Sequence, residues 1–155
     1  MSTTYSTIGQ AIYDFMDSID ISAATPENWE PGENLTWGDK LNRPPKANEL
    51  NVYPAFLVMP SGDTQETGDS RTDLDAVTYS VFVVFSYAEA TYAEDTLRHV
   101  ADIVRTAFRA LRLDPSQLMN SAYHISFTGE WGGTVDQGER YYKLDITTQI
   151  AEDIS

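Results

Sequence analysis

Residues 76–111, AVTYSVFVVFSYAEATYAEDTLRHVADIVRTAFRAL, decide the fold because a strand pattern and a helix pattern follow one another within them. In residues 76–86 the side chains alternate between two faces, which is the period of a β-strand. One face is wholly apolar and comprises Val77, Tyr79, Val81, Val83 and Phe85. The other face is mixed, which predicts a strand in the middle of a sheet, with its second side partly covered or against a neighbour.

The second part of this stretch predicts a helix that packs on the apolar strand face. Thr91 and Glu94 have the spacing of a capping box at its start, and the Asp114-Pro115 pair ends it. Its apolar residues recur every three or four positions, as one face of a helix requires. They are Leu97, Val100, Ala101, Val104, Phe108 and Leu111. We expect Leu97 and Phe108 to anchor the helix on the sheet.

The same two periods predict the elements on either side of this pair. Apolar residues in 5–19 fall on one stripe of a helix, and alternating residues predict strands over 52–59, 122–131 and 140–151. A strand, a helix and a further strand usually form a right-handed crossover. The sequence therefore predicts an α+β protein with a single domain over 1–155 and the element order α-β-β-α-β-β. We expect a twisted, mixed sheet of about four strands that carries its helices on one face.

Between residues 21 and 51 neither period is present, and prolines and glycines predict a long irregular excursion after the first helix. Loops of this length within a compact domain are usually functional or flexible. Trp29 and Trp37 indicate that parts of the excursion lie against a surface. Two interpretations remain open: the excursion packs on its own domain, or it is an arm that docks on a partner. The first is favoured because exposed tryptophan is uncommon on monomers.

A second irregular segment is predicted over residues 61–75, because residues 60–62, Pro-Ser-Gly, are expected to end a strand. Five acidic residues and one arginine in this segment predict an acidic hairpin loop that is mobile in the free chain. We expect Asp63, Asp69 and Asp73 to contact a partner and the loop to become ordered there. The segment lacks the ligand spacing of an EF-hand, so a calcium site is not expected.

A basic stripe runs beside the apolar stripe of the long helix and contains four of the chain's 10 basic residues. They are Arg98, Arg105, Arg109 and Arg112. One interpretation is a solvated helix face with helical ion pairs, for which Glu94 and Asp102 have the right spacing. The other is a strip that meets an acidic surface on a neighbouring copy. The first is favoured because surface ion pairs are common.

The chain is acidic, with 24 aspartates and glutamates against 10 lysines and arginines and a formal net charge of -14. Phosphate binding is driven by basic side chains that release counterions, so this charge argues against sequence-specific nucleic-acid binding. The absence of cysteine excludes disulfides and thiolate metal sites. The first residues lack the pattern of a secretory signal, and no apolar run is long enough to span a bilayer. We therefore expect a soluble protein made inside the cell, without a membrane partner.

Motifs of catalysis are missing from the sequence, which has no nucleophile elbow, Walker loop, dinucleotide fingerprint or paired-histidine zinc motif. His99 and His124 lack the spacing of a metal site, and structural roles are expected for them. We expect no catalytic residue, no cofactor and no metal. The competing hypothesis is a small α+β enzyme or ligand-binding domain, which a pocket of converging carboxylates with shifted pKa values would support.

Four stretches carry a resemblance to a protein family. They are YPAFLVMP at 53–60, AVTYSVFVVFSY at 76–87, TYAEDTLRHVADIVRTAFRAL at 91–111 and YYKLDITTQIAEDI at 141–154. In this order, and with the helix before them, they resemble the tail terminator (tail completion) proteins of long-tailed bacteriophages, also called minor tail protein U or neck proteins. The resemblance covers residues 5–19 and 52–151. The family has no invariant active-site motif.

The resemblance implies a structural protein of the virion tail or neck, present in the host cytoplasm during assembly. It implies a homo-oligomeric ring, usually of six copies, that ends polymerisation of the tail tube protein. The other side of the ring would join the head–tail connector or head-closure protein. Genomic DNA would pass through the lumen without specific binding, which agrees with the acidic composition. An alternative in the same class is a head-closure or other connector subunit.

Overall fold

The computed structural model describes residues 4–26, 34–46, 49–50, 52–67, 72–86, 93–118, 122–134 and 139–153. In this part of the chain there are two α-helices, α1 (Thr4–Ser18) and α2 (Ala93–Leu111). Its strands are β1 (Lys40–Leu41), β2 (Ala55–Thr67), β3 (Thr72–Ser86), β4 (Ala122–Thr134) and β5 (Glu139–Asp153). Short 3₁₀ turns cover Ser22–Ala24 and Pro115–Gln117.

The strands form one mixed sheet in the order β1-β2-β3-β5-β4. Strand β1 is parallel to β2, and the other neighbours are antiparallel. The predicted α+β class and single domain are confirmed. The predicted four strands and the order α-β-β-α-β-β are wrong in detail, because the excursion contributes β1 as a fifth strand. Two residues paired with Phe56 and Leu57 are too few to show a period in the sequence.

The acidic hairpin has other bounds than predicted, because β2 runs through Pro60 to Thr67 and β3 begins at Thr72. Most of the loop expected over 61–75 is therefore paired strand. The ladder shifts between Pro60 and Gly62, which leaves Ser61 as a bulge. Proline has no N–H to donate, and a bulge is one of the few places in a sheet that accepts it.

The main core lies between the two helices and one face of the sheet. All six residues of the apolar stripe predicted for α2 are buried, and Leu97 and Phe108 are each 0% exposed. Helix α2 contacts both β3 and β5. The phenyl ring of Phe108 also packs against that of Phe15 in α1, with ring centroids 4.8 Å apart. The prediction that Leu97 and Phe108 anchor the helix on the apolar face of β3 is confirmed.

Helix α1 approaches β3 closely at Gly9. The Tyr79 phenol lies against this glycine, so that a Cβ added there would be 2.6 Å from the hydroxyl oxygen. Glycine inside a helix is destabilising relative to alanine, and here the lost stability is offset by close packing of helix on sheet. The absence of a side chain at Gly9 therefore sets the distance between α1 and β3.

The excursion packs on its own domain where the structure describes it. The Trp37 ring meets Phe56 edge to face, with centroids 5.0 Å apart, and its indole N–H donates to the carbonyl of Ile19 at 3.2 Å. Leu35 is buried. The favoured interpretation of the excursion therefore holds for Trp37. Trp29 lies outside the described residues.

Truncation of the central anchor should destabilise the fold. In Phe108→Ala we expect the free energy of unfolding to fall by about 3–5 kcal/mol, because a buried ring is lost and a cavity remains. Urea denaturation measures it. Leu113→Ala is the control, because Leu113 is 92% exposed and its loss should change stability by less than about 0.5 kcal/mol. Equal midpoints for Phe108→Ala and the parent chain would contradict the assigned core.

Gly9→Ala tests the contact between α1 and β3. Alanine is the better helix former by about 1 kcal/mol, yet its methyl group would overlap the Tyr79 ring. We expect a net destabilisation of about 1–3 kcal/mol, partly recovered in a Tyr79→Phe background. Gly62→Ala is the matched control, since nothing lies within 4 Å of a Cβ added there. A Gly9→Ala chain more stable than its parent would refute the close approach.

Candidate interaction surfaces

The sheet ends in two open edges. Strand β4 is the last strand on one side, and in the described part of the chain no strand pairs with its outer side. On the other side, β1 covers β2 only at Phe56 and Leu57. Beyond Leu57 the outer side of β2 is open among the described residues. An open strand edge presents unpaired backbone N–H and C=O groups, which are a template for contact with another chain.

The basic stripe of α2 is exposed along its whole length. The expected helical ion pair between Glu94 and Arg98 is present at 3.4 Å. The pair expected between Asp102 and Arg105 is not formed. Within the described residues, no carboxylate lies in ion-pair distance of Arg105, Arg109 or Arg112. Three exposed guanidinium groups of α2 thus have no carboxylate partner in the part of this acidic chain that the structure describes.

Two of these arginines lie over an aromatic ring of β4. The Cζ atoms of Arg105 and Arg112 are 5.9 Å and 5.7 Å from the centroid of Phe127. Trp131 lies further along β4, and the Cζ atom of Arg140 in β5 is 5.5 Å from the centroid of its ring. We call Arg105, Arg112, Phe127, Trp131 and Arg140 the arginine–aromatic patch. These distances are those of cation–π contacts, which for Arg105 and Arg112 leave the charge available to a carboxylate partner.

The patch is continuous because β5 fills the gap between its two rings. The Tyr142 ring lies 4.9 Å from that of Trp131, and its hydroxyl covers Gly129, where any side chain would overlap it. Burial raises the pKa of the Tyr142 phenol; the charge of Arg105 acts to lower it and that of Asp102 to raise it.

Arg140 is held in place from the helix. Its Nε and Nη2 donate to the carboxylate of Glu94 at 3.1 Å and 3.2 Å. Glu94 thus joins the first turn of α2 to β5 and also meets Arg98. The sequence pattern predicted the stripe on α2 but missed Phe127, Trp131 and Arg140. The sequence signal for Phe127 and Trp131 is that both lie on the apolar side of an alternating strand, and Arg140 has no such signal.

The other predicted interface residues do not join this patch. Trp37 packs on its own core, while Trp29 and Asp69 lie outside the described residues. Asp63 and Asp73 are in paired strands, where Asp63 is opposite Val77 and Asp73 is opposite both Thr67 and Glu152. They lie on the hairpin of β2 and β3, at the other side of the sheet from β4.

The face of the sheet opposite the helices is polar at one end. Hydroxyl oxygens of Thr78 and Thr147 are 2.8 Å apart, and the Ser80 hydroxyl donates to Asp145 at 2.6 Å. The Nζ atom of Lys143 lies 3.8 Å from the Oδ1 atom of Asp145. At the other end, near β1, a small apolar cluster covers this face. Its buried members are Ala55, Leu57 and Val84. This agrees with the mixed second face predicted from the alternation in β3.

Tyr53 closes the apolar end of this face. Its hydroxyl lies 3.0 Å from the carbonyl oxygen of Leu50 and 3.0 Å from a carboxylate oxygen of Glu139, between which its one proton is shared. Burial and the hydrogen bond to Glu139 raise the pKa of Tyr53 to about 12. The contact ties the end of the excursion to the first residue of β5.

A cleft of about 330 Å³ lies where α1 meets the excursion. Asp17 on its rim is paired with Lys40 at 2.6 Å. The carboxylate of Asp20 accepts the backbone N–H of Ser22 at 2.9 Å, which lowers the Asp20 pKa. A general acid needs a raised carboxyl pKa, so this arrangement does not support acid catalysis. Among the described residues, no group of three or more metal-ligating side chains converges.

Comparison with known proteins finds no family model and no curated protein that matches the chain. Neither helix in the described ranges is long and apolar enough to cross a membrane.

The Tyr53 contact gives a pH prediction. Its folded pKa lies above the ordinary value of 10.0, so the contact stabilises the fold below pH 10. That stability is lost as the pH rises towards about 12. In a phenolate absorbance titration, the difference between the parent chain and Tyr53→Phe should show one group with a pKa of about 12. Glu139→Gln should lower the pKa of Tyr53 but keep it above 10, because burial is the larger cause. A difference curve centred at 10 would contradict the contact.

Proposed function

We propose that the chain is a structural ring subunit of the tail terminator class, which ends a phage tail tube and joins it to the head. The observation that carries the proposal is that, in the described ranges, β4 and the part of β2 beyond Leu57 are unlike edges without a pairing strand on opposite sides of one sheet. Identical chains that meet through two unlike surfaces form heterologous contacts, which close into a ring when the rotation allows it. The resemblance of element order supports the same class of protein.

The distribution of chemistry on the described surfaces also favours a structural role. The cleft beside α1 holds a lysine-paired aspartate and an aspartate of lowered pKa, rather than a poised acid and base. The exposed arginines of α2 and the exposed Trp131 of β4 instead lie beside the outer strand of the sheet. Arginine and aromatic residues are enriched at protein interfaces. Such a subunit acts by filling a fixed place in an assembly and has no catalytic turnover.

The net charge of -14 suits a ring through which DNA passes. A negative channel wall repels the phosphate backbone and so does not hold a moving duplex. In this proposal the partners are further copies of the chain, the tail tube protein, and the connector or head-closure protein.

Deletion of the gene in its phage tests the proposal. Without a terminator the tube has no stop signal, so we expect tails of irregular length that do not join heads. Electron microscopy of the lysate measures tail length and joining. Purified protein added to the defective lysate should restore joining in proportion to the amount added, which is the behaviour of a stoichiometric component.

Two outcomes would overturn the assignment. Tails of uniform length that fail to join heads would assign the chain to head closure instead of tail termination. Normal joined tails in the absence of the protein would remove it from the neck altogether. The variant Leu113→Ala is the control for the complementation, because it shortens one exposed side chain and leaves every charge in place.

A further inference from the structure

We infer that the arginine–aromatic patch of one copy holds the acidic arm of the next copy in the ring. The acidic arm is the part of the hairpin of β2 and β3 beyond the bulge, residues 62–67 and 72–76. The inference rests on the proposed function, because it needs head-to-tail contacts between identical chains. It names the two surfaces that meet.

The patch has the properties of an unoccupied interface. Arg105 and Arg112 are exposed and have no carboxylate in ion-pair distance in the described parts of the chain. Trp131 is 40% exposed, an unusual state for the largest side chain. Arginine beside tryptophan at the centre of a contact is a frequent hot spot of binding. The patch lies along the open edge of β4, where a partner can approach.

The acidic arm has the complementary charge. Its sequence contains Asp63, Glu66, Asp73 and Asp75 and no basic residue within the two described strand segments. The register adds more acid at the same end of the sheet, because β5 ends there with Glu152 and Asp153. From Gly62 to Thr67 the arm extends about 17 Å at the usual rise of a strand. This is long enough to follow both rings of the patch.

The two surfaces cannot meet within one chain. Strands β3 and β5 separate β2 from β4, so about 14 Å of sheet lies between the β2 part of the arm and β4. The β3 part of the arm is level with the first residues of β4, whereas Phe127 and Trp131 lie further along that strand. The open edges of β2 and β4 face away from each other. Contact between patch and arm therefore needs a second copy, and every copy then offers one patch and one arm. This is the heterologous arrangement that a ring requires.

Cross-linking tests the contact directly, and the cysteine-free sequence gives it a clean background. A chain with Arg109→Cys, beside the patch, is mixed with a chain carrying Thr64→Cys on the arm. A short bis-maleimide should join one copy of each, and mass spectrometry should locate the link between positions 109 and 64. Each single-cysteine chain alone should give much less dimer. The yield should fall as NaCl rises from about 0.05 to 0.5 M, because salt screens the attraction.

A charge swap tests whether the attraction holds the copies together. Arg105→Glu with Arg112→Glu should weaken self-association about tenfold or more, measured by analytical ultracentrifugation. Asp63→Lys with Glu66→Lys should do the same. The chain with all four substitutions should associate like the parent, because each patch again meets an arm of opposite charge. Lys46→Glu is the control, because it reverses an exposed charge outside the patch that has no ion pair with a described carboxylate.

The outcomes separate this inference from the proposed function. Rings that survive both double variants and give no link between 109 and 64 would overturn the patch–arm contact and leave the ring subunit standing. A chain that stays monomeric at its highest soluble concentration and gives no cross-link overturns both. A link that forms in a chain unable to restore tails supports the contact and refutes the tail role. Patch variants that lose only duplex DNA binding would replace the arm with nucleic acid.

Discussion

The burial of the α2 stripe on the central pair of strands is the constraint from which the rest of the structure follows. Strand β3 pairs with β5 along its whole length, and α2 covers the apolar side of both. A one-residue slip of either strand would turn its apolar set away from the helix, so this burial fixes the register. Once the register is set, α1 and the Trp37 segment fill the remaining area of the same face.

This arrangement also determines where the molecule can meet others. With both helices on one face, the opposite face is left polar near Thr78 and Ser80 and apolar only where β1 and Tyr53 cover it. With the long strands β3 and β5 at the centre, the outer strands differ in what lies beside them. Strand β4 has the arginines of α2 as neighbours, whereas β2 continues into an acidic hairpin. Unlike edges are thus a consequence of the core.

The sequence was sufficient for those features that depend on a period. It predicted the α2 stripe, the alternation of β3 and the fold class because many residues repeat the same signal. It did not predict β1, which has two residues. The backbone N–H of Asp39, just before this strand, donates to the carbonyl of Val52, and no sequence period signals that contact. It also ended β2 too early at Pro60, because a bulge accepts the proline and lets the ladder continue. The candidate site was half predicted for the same reason: the arginine stripe is periodic, but its contact with Phe127 depends on the order of strands.

Arginines without a carboxylate partner among the described residues are unexpected on a chain with more than twice as many acidic as basic residues. Surface ion pairs form readily where carboxylates are abundant, as the pairs at Lys40, Arg43 and Arg98 illustrate. Arg105 and Arg112 instead lie over Phe127, a ring that orients the guanidinium groups without neutralising them. A carboxylate from another chain then meets a positive charge that is already oriented. The arginine side chain therefore loses less conformational entropy when the carboxylate binds. Among the described residues no carboxylate is in ion-pair distance of Arg105 or Arg112, and the acidic arm of a neighbouring copy can supply one.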